Sequence, residues 1–399
     1  MSGDTGKPAT RVVQAGRRAE WTGAVVNPPV WRASTHLYAD SADLARGRPN
    51  EDGQFYYGRR GAPTQWALAS ALTELEPGAH GTLLYPSGVA AIAGALLGVL
   101  ESGDDLLLTD NAYEPSRAMA KNLLAPLGIV TRFFDPRDTA GFAAHLTDRT
   151  KAVLLESPGS LTLEVSDIPA LAAVARAQGA VTLLDNTWAS PLGFAALNHG
   201  CDASIMSLTK HVGGHSDLMM GSVSAGEALY VRLRAKSQAL GQVVSPDDAA
   251  LALRGLRTLA VRLDRETASA LAVAQWLAGR AEVAHVLCPM LPGAPGNELW
   301  QRDFTGGCGL FSFVLKGRTV ADRARLIDAL KLFGIGFSWG GFESLVIPFD
   351  PARTRSATAW PPSGWDSADR LGVRLSIGLE DPRDLIADLE RAFAAMARG

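Results

Sequence analysis

The sequence predicts an α/β protein whose larger part is a mostly parallel, seven-stranded sheet covered by helices on both faces. Three observations predict it. Seven short apolar runs lack the every-other-residue alternation of a half-solvated sheet, so both faces of each strand are expected to be buried. Most are separated by stretches long enough for a helix, which is the pattern of strand–helix–strand units. The chain, at 399 residues, is also long enough for a large core and a second, smaller α/β unit.

Taken in order, residues 1–60 show no helical periodicity, and Val25-Val-Asn-Pro-Pro-Val30 reads as extended because proline and its predecessor disfavour helix. A long arm without its own core is expected to lie on the domain body or on a partner subunit. It ends in Phe55-Tyr-Tyr-Gly-Arg-Arg-Gly-Ala-Pro63, which is either a docking element or an ordinary surface turn. Residues 61–257 hold the large domain. Trp66, Leu68, Leu72 and Leu75 mark a helix stopped by Pro77-Gly78. The strands are Gly81–Tyr85, Asp105–Thr109, Val130–Phe134, Ala152–Glu156, Val181–Asp185, Ala203–Leu208 and Leu218–Val223, with helices at Val89–Leu100, Pro115–Leu124 and Ile168–Gln178. A long helical region from Pro246 to about Glu282 leads into the small domain, residues 258–399. Strands are expected there near Val283–Leu287, Gly309–Leu315, Gly334–Ser338 and Val373–Ile377, with helices at Val320–Leu332 and Pro382–Met396.

Composition narrows the function. Charged residues are 20% and the net charge is -3, so no basic field points to nucleic acid. Cys201, Cys288 and Cys308 have no metal-ligand spacing and fit a reducing compartment. No apolar run approaches a membrane span, and the first residues lack the apolar core of a secretory signal. The expectation is a cytoplasmic protein acting on a small molecule.

One stretch carries the chemistry: Ala203-Ser-Ile-Met-Ser-Leu-Thr-Lys-His-Val-Gly-Gly-His-Ser-Asp217. A lysine after a buried strand loses solvation, which favours its neutral, nucleophilic amine. Such amines form Schiff bases with carbonyls. Ser207 and Thr209, two apart, put two hydroxyls on one face where a phosphate would fit. Lys210 beside them is what pyridoxal 5′-phosphate needs, the alternative being a solvated surface lysine. Asp185 ends another strand and would be the anion at the pyridine nitrogen, unless it caps a helix. Ser87, Gly88 and Val89 form a strand-to-helix turn that can aim N–H groups at a phosphate. Tyr113 can stack on a planar ring or sit as a rim aromatic. Arg374, within an apolar strand, wants a carboxylate, from substrate or from a protein acid. His211, His215 and Asp217 match no zinc spacing, and no phosphate-binding glycine loop of a nucleotide site follows a strand.

These stretches resemble the Cys/Met-metabolism family of pyridoxal-phosphate enzymes, with the fold-type I, aspartate-aminotransferase-like architecture. The resemblance runs from Tyr57 to Leu389 and rests on Tyr57-Gly-Arg-Arg-Gly61, Ala112-Tyr-Glu-Pro-Ser116, Glu156-Ser-Pro-Gly-Ser-Leu-Thr162, Asp185-Asn-Thr-Trp188, Gly214-His-Ser-Asp217, Phe337-Ser-Trp-Gly-Gly-Phe-Glu-Ser-Leu345 and Arg374-Leu-Ser-Ile-Gly-Leu-Glu-Asp381. It implies that Lys210 binds the cofactor and acts as catalytic base. Asp185 would pair with the ring nitrogen, and Tyr113 would stack on the ring. Ser87, Gly88, Val89, Ser207 and Thr209 would hold the phosphate, joined by Tyr57 and Arg59 from a neighbouring subunit. Ser338, Trp339 and Arg374 would face the substrate carboxylate. It also implies a homo-oligomer, a dimer of dimers with shared sites. Where γ-acting members often carry Glu-Ser-Leu-Gly-Gly, this chain has Phe337-Ser-Trp-Gly-Gly341, so it resembles the β-lyases that split L-cystathionine. Phe342, where β-lyases can carry tyrosine, departs from that pattern. The rivals are a γ-acting relative, a broad cysteine-conjugate β-lyase, and a scaffold that has lost catalysis.

Overall fold

A computed structural model of the chain describes residues 6–398. Seven strands, β1 (Gly81–Tyr85), β2 (Asp105–Thr109), β3 (Val130–Phe134), β4 (Thr150–Glu156), β5 (Val181–Asp185), β6 (Ala203–Ser207) and β7 (Gly221–Ala225), form one sheet. Their order is β1-β7-β6-β5-β4-β2-β3. Only β7 is reversed, pairing antiparallel with both β1 and β6; the other pairs are parallel.

Alternation along β2 explains why the strands are apolar throughout. Leu106 and Leu108 join a core with Tyr85, Ile92, Leu96 and Ile205, whereas Leu107 joins a separate one with Leu68, Leu72 and Leu155. The second core continues into a five-stranded sheet, order β10-β11-β12-β9-β8, through Phe311, Phe313 and Leu375. Its strands are β8 (Val283–Leu287), β9 (Leu310–Leu315), β10 (Gly334–Ile335), β11 (Leu345–Phe349) and β12 (Gly372–Ser376).

Several expectations need correcting. The seventh strand starts three residues later than Leu218. The expected strand at Gly334–Ser338 shrinks to two residues, and β11 was not foreseen because Pro348 argues against an interior strand. The helical region after Pro246 is two helices, Pro246–Arg257 and Leu259–Ala278, separated at Thr258. A further helix, Glu227–Ala239, was not expected. The arm also contains a short helix, Pro8–Gln14, although its sequence lacks periodicity. Tertiary contact holds it: Val12 and Ala15 are buried, and Arg257 Nη1 donates to their carbonyls at 2.9 and 2.8 Å. The first five residues of the expected arm lie outside the described residues. No helix among the described residues is long and apolar enough to cross a membrane.

Candidate active site

Parallel pairing sends the C-terminal ends of β1, β2, β4, β5 and β6 to one edge of the large sheet, the usual place for a ligand in such folds. Lys210 lies three residues beyond β6. Its Nζ donates to Ser338 Oγ at 2.8 Å and lies 5.5 Å from the centre of the Trp339 ring. Burial, reinforced by the positive charge of Arg374, lowers its pKa to about 8; Asp185 pulls the other way. Lys210 is thus no solvated surface lysine.

Ser338 does two jobs. It adopts a left-handed backbone (φ 77°), unusual for a residue with a Cβ and costing on the order of 1–2 kcal/mol. In that conformation its hydroxyl meets Lys210 while its carbonyl accepts from Arg374 Nη2 at 2.8 Å. Arg374, on β12, is only 7% exposed, and burial lowers its pKa to about 10. It forms no salt bridge among the described residues, and its Nε is buried without a partner. A guanidinium so placed still lacks its carboxylate.

Asp185 accepts two hydrogen bonds from Thr187, N at 3.1 Å and Oγ1 at 2.5 Å, both on Oδ1. It caps no helix, since the next one begins at Ser190. Thr187 Oγ1 also accepts from Ser207 N at 2.9 Å, tying the end of β5 to that of β6. Beside Asp185, in register across β4 and β5, stands Glu156. Burial first, and then the Asp185 charge, push Glu156 well above the ordinary carboxylate range. Its Oε2 accepts from Tyr113 N at 2.6 Å, which fixes the aromatic at the mouth of the site. The tyrosine is itself raised by burial and by the fields of Glu156 and Asp185, with Arg374 opposing. Glu156 and Thr187 were not singled out from sequence, because only the strand register reveals their neighbours.

At the opposite end, Ser87 caps the helix Gly88–Val99: its Oγ accepts from Ala90 N at 3.1 Å. The N–H groups of Gly88 and Val89, in the first turn, have no acceptor within the helix. A Cβ on Gly88 would stand 2.7 Å from that of Ser207, so glycine is what lets the two strand ends close up. Thr209 Oγ1 is tied to the residue before β7, accepting from Met220 N at 3.0 Å and donating to Met220 O at 3.2 Å. Tyr57 and Arg59 are the two candidates not brought to this cluster. They lie on the arm with Arg59 5.0 Å above the Tyr57 ring, and Arg59 lines a cavity of ≈ 340 Å³ with Asp52, Tyr230 and Arg234.

Residues 9–394 match the family described as Cys/Met metabolism PLP-dependent enzyme. The chain belongs to that family. Among Cys/Met-metabolism relatives, it is 44% identical over 390 residues to the cystathionine beta-lyase of Escherichia coli, covering 96% of this chain and 98% of that one. It is 43% identical over 390 residues to the cystathionine beta-lyase of Salmonella typhimurium, with the same coverage. The crystal structure of cystathionine gamma synthase from Xanthomonas oryzae superposes with a TM-score of 0.89 at 34% identity, over 98% of this chain and 99% of that one. As a Cys/Met-metabolism enzyme the protein depends on pyridoxal 5′-phosphate, and its residues fit that group. Two unpaired N–H groups at a helix N-terminus, with Ser87 and Ser207 beside them, suit a phosphate. Asp185 keeps one oxygen, Oδ2, free of hydrogen bonds among the described residues, and the Lys210 amine is depressed toward neutrality.

Proposed function

We propose that this chain is a cystathionine β-lyase, releasing L-homocysteine, pyruvate and ammonia from L-cystathionine and water. The observation that carries this function is a desolvated Lys210 amine that feels both Asp185 and a buried Arg374 with no carboxylate partner among the described residues. The likeness to named β-lyases over nearly the full length supports the substrate.

Bound pyridoxal phosphate supplies an electron sink for the pair left when a proton leaves the substrate Cα. Asp185, oriented by Thr187, would keep the ring nitrogen protonated through Oδ2. The N–H groups of Gly88 and Val89 would hold the phosphate, with hydroxyls from Ser87, Ser207 and Thr209. Thr209 can turn its hydrogen from Met220 O toward an anion while still accepting from Met220 N. Tyr113 would cover the ring. Arg374, steadied by the Ser338 carbonyl, would take the substrate carboxylate as a two-pronged ion pair. Lys210 would hold the cofactor and, once the substrate has taken its place, would accept the Cα proton at Nζ and deliver a proton to the departing sulfur. Its depressed pKa suits it to both transfers near neutral pH.

Tyr57 and Arg59 would reach the phosphate of a partner subunit, which makes a dimer the smallest active unit and a dimer of dimers the expected assembly. Phe337 is 88% exposed and Phe342 51%. Phe337 and Trp339, which flank Ser338 where γ-acting members often carry glutamate and leucine, favour β over γ chemistry, whereas Phe342 leaves the breadth of substrates open. Assaying L-cystathionine for pyruvate against 2-oxobutyrate tests the proposal: pyruvate is expected, absent in Lys210→Ala, and 2-oxobutyrate as the main product would move the protein to the γ-acting relatives.

A further inference from the structure

Behind Lys210 lies a set of buried polar groups that the chemistry above leaves unused. His211, the next residue, is 2% exposed; neither ring nitrogen completes a well-formed hydrogen bond, and the Trp188 backbone makes only a loose one. Its ring meets Trp339 edge-on, centroids 5.2 Å apart. Gly340 sits so close that a Cβ there would stand 2.9 Å from His211 Nδ1, and its φ of 77° also calls for glycine. On the helix Leu259–Ala278, Glu266 is fully buried with both oxygens unpartnered, Oε2 lying 3.6 Å from His211 Nδ1. Arg262, one turn earlier, spends Nε on Thr258 Oγ1 (3.1 Å) and Nη2 on Gly255 O (2.8 Å), leaving Nη1 unpartnered. Glu343 accepts from Ser216 Oγ through one oxygen and nothing through the other.

Electrostatics sorts these groups. Burial, with Glu343 adding to it and Arg262 opposing, raises Glu266 to about 8. Burial and the Arg262 charge lower His211 to about 3, against a smaller opposing pull from the Trp188 backbone. Near neutral pH, then, a carboxylic acid faces a neutral imidazole: one is a donor, the other an acceptor, and a small side-chain rotation closes the gap. A leucine in place of Glu266 would avoid the cost of burying a polar group, typically 1–3 kcal/mol. The charge of the buried Arg262 gives the acid one role, and its place against His211 points to another.

We propose that Glu266 is a positioning residue for the Ser338–Trp339–Gly340 turn, acting through His211 to hold the Trp339 ring and the Gly340 backbone, and with them the Ser338 groups that meet Lys210 and Arg374. The turn is anchored independently from the far side, where Gly340 N donates to Ser376 Oγ at 3.2 Å. Ser338 is held by Lys210 and Arg374, and His211, with Glu266 beside it, backs the Trp339–Gly340 part of the turn. This role rests on the proposal that Arg374 and the turn receive the substrate carboxylate.

Holoenzyme kinetics on a sulfur amino acid, with Tm measured alongside, test it. Glu266→Gln keeps a neutral donor of the same shape and is expected to hold KM and kcat within about threefold. Glu266→Leu leaves the buried Arg262 without its nearby acid, so Tm should fall, and KM should rise at least about tenfold with a smaller change in kcat. His211→Phe retains the ring, loses the nitrogen and should show the same KM rise; it decides the matter if Glu266→Leu fails to fold. Arg374→Ala is the control. If it leaves KM unchanged, the carboxylate-binding assignment itself fails. If it raises KM while Glu266→Leu and His211→Phe keep the native value, or if Glu266→Gln is as impaired as Glu266→Leu, the positioning role is overturned.

Discussion

Two carboxyls in adjacent register cannot both ionise cheaply away from water, and Glu156 and Asp185 divide the work between them. Burial raises Asp185 as well, but the Thr187 bonds and the Lys210 charge oppose that rise and favour its anion. Glu156, raised well above the usual range, holds the proton and offers an oxygen to Tyr113 N. Glu156→Gln is accordingly expected to keep kcat within about threefold, while Asp185→Asn loses at least about a hundredfold; equal losses in steady-state assays would contradict this division. A second buried acid acts on stability instead. Glu76, 1% exposed, is raised to about 7 by burial despite hydrogen bonds from the 196–197 backbone. A raised carboxyl stabilises the fold fully below its unfolded pKa of about 4.5, and that stabilisation is lost as pH climbs through about 7. Up to about 3 kcal/mol is involved. Thermal melts of Glu76→Gln from pH 5 to pH 8 should therefore fall less steeply than those of the native protein; parallel curves would show that Glu76 does not carry this dependence.

At the level of elements, the segment after β11 reaches back across the site to the large sheet. Asp110, just past β2, accepts from Ser356 N (2.9 Å), Ala357 N (2.9 Å), Thr358 N (2.8 Å) and the hydroxyls of Ser356 and Thr358 (both 2.8 Å). Burial alone would raise this carboxyl, yet these bonds outweigh it and hold it at about 2. Arg355 closes the same contact by pairing with Glu164 at 2.8 Å. Asp110→Ala should free the segment: trypsin cleavage after Arg355 should quicken and Tm should drop by several degrees, and an unchanged digestion rate would argue against the clasp. None of this was visible in sequence, where Asp110 is simply an aspartate at a strand end, 246 positions from its partner Ser356. The strands of the large sheet were legible because doubly buried strands write themselves as unbroken apolar runs. β11 was not, because Pro348 masks it, and neither was the Pro8–Gln14 helix, whose stability comes from Arg257 and a buried Val12 rather than from its own residues.

The candidate site was legible to the extent that its residues sit at strand ends or inside motifs. Lys210, Asp185, Ser207 and Arg374 announce themselves by residue type and placement, whereas Glu266 lies on an amphipathic helix where one acid looks like any other. Tyr57 and Arg59 belong, in the proposed assembly, to the partner's site. Mixing Lys210→Ala chains with Arg59→Ala chains, each inactive alone, should then restore about a quarter of native activity after subunit exchange, because half the dimers are hybrids with one complete site each. Activity that stays at baseline in verified hybrids would place the arm in its own chain's service. The Lys210–Ser338 bond joins two sheets across 128 positions of chain. A ribosome must therefore release most of the second sheet before the reactive amine gains its companion, and β12 with Arg374 emerges later still. From residue 210 to residue 338 of 399 the nascent protein carries a half-built nucleophile, so vitamin B6 has a finished berth only once translation is nearly over.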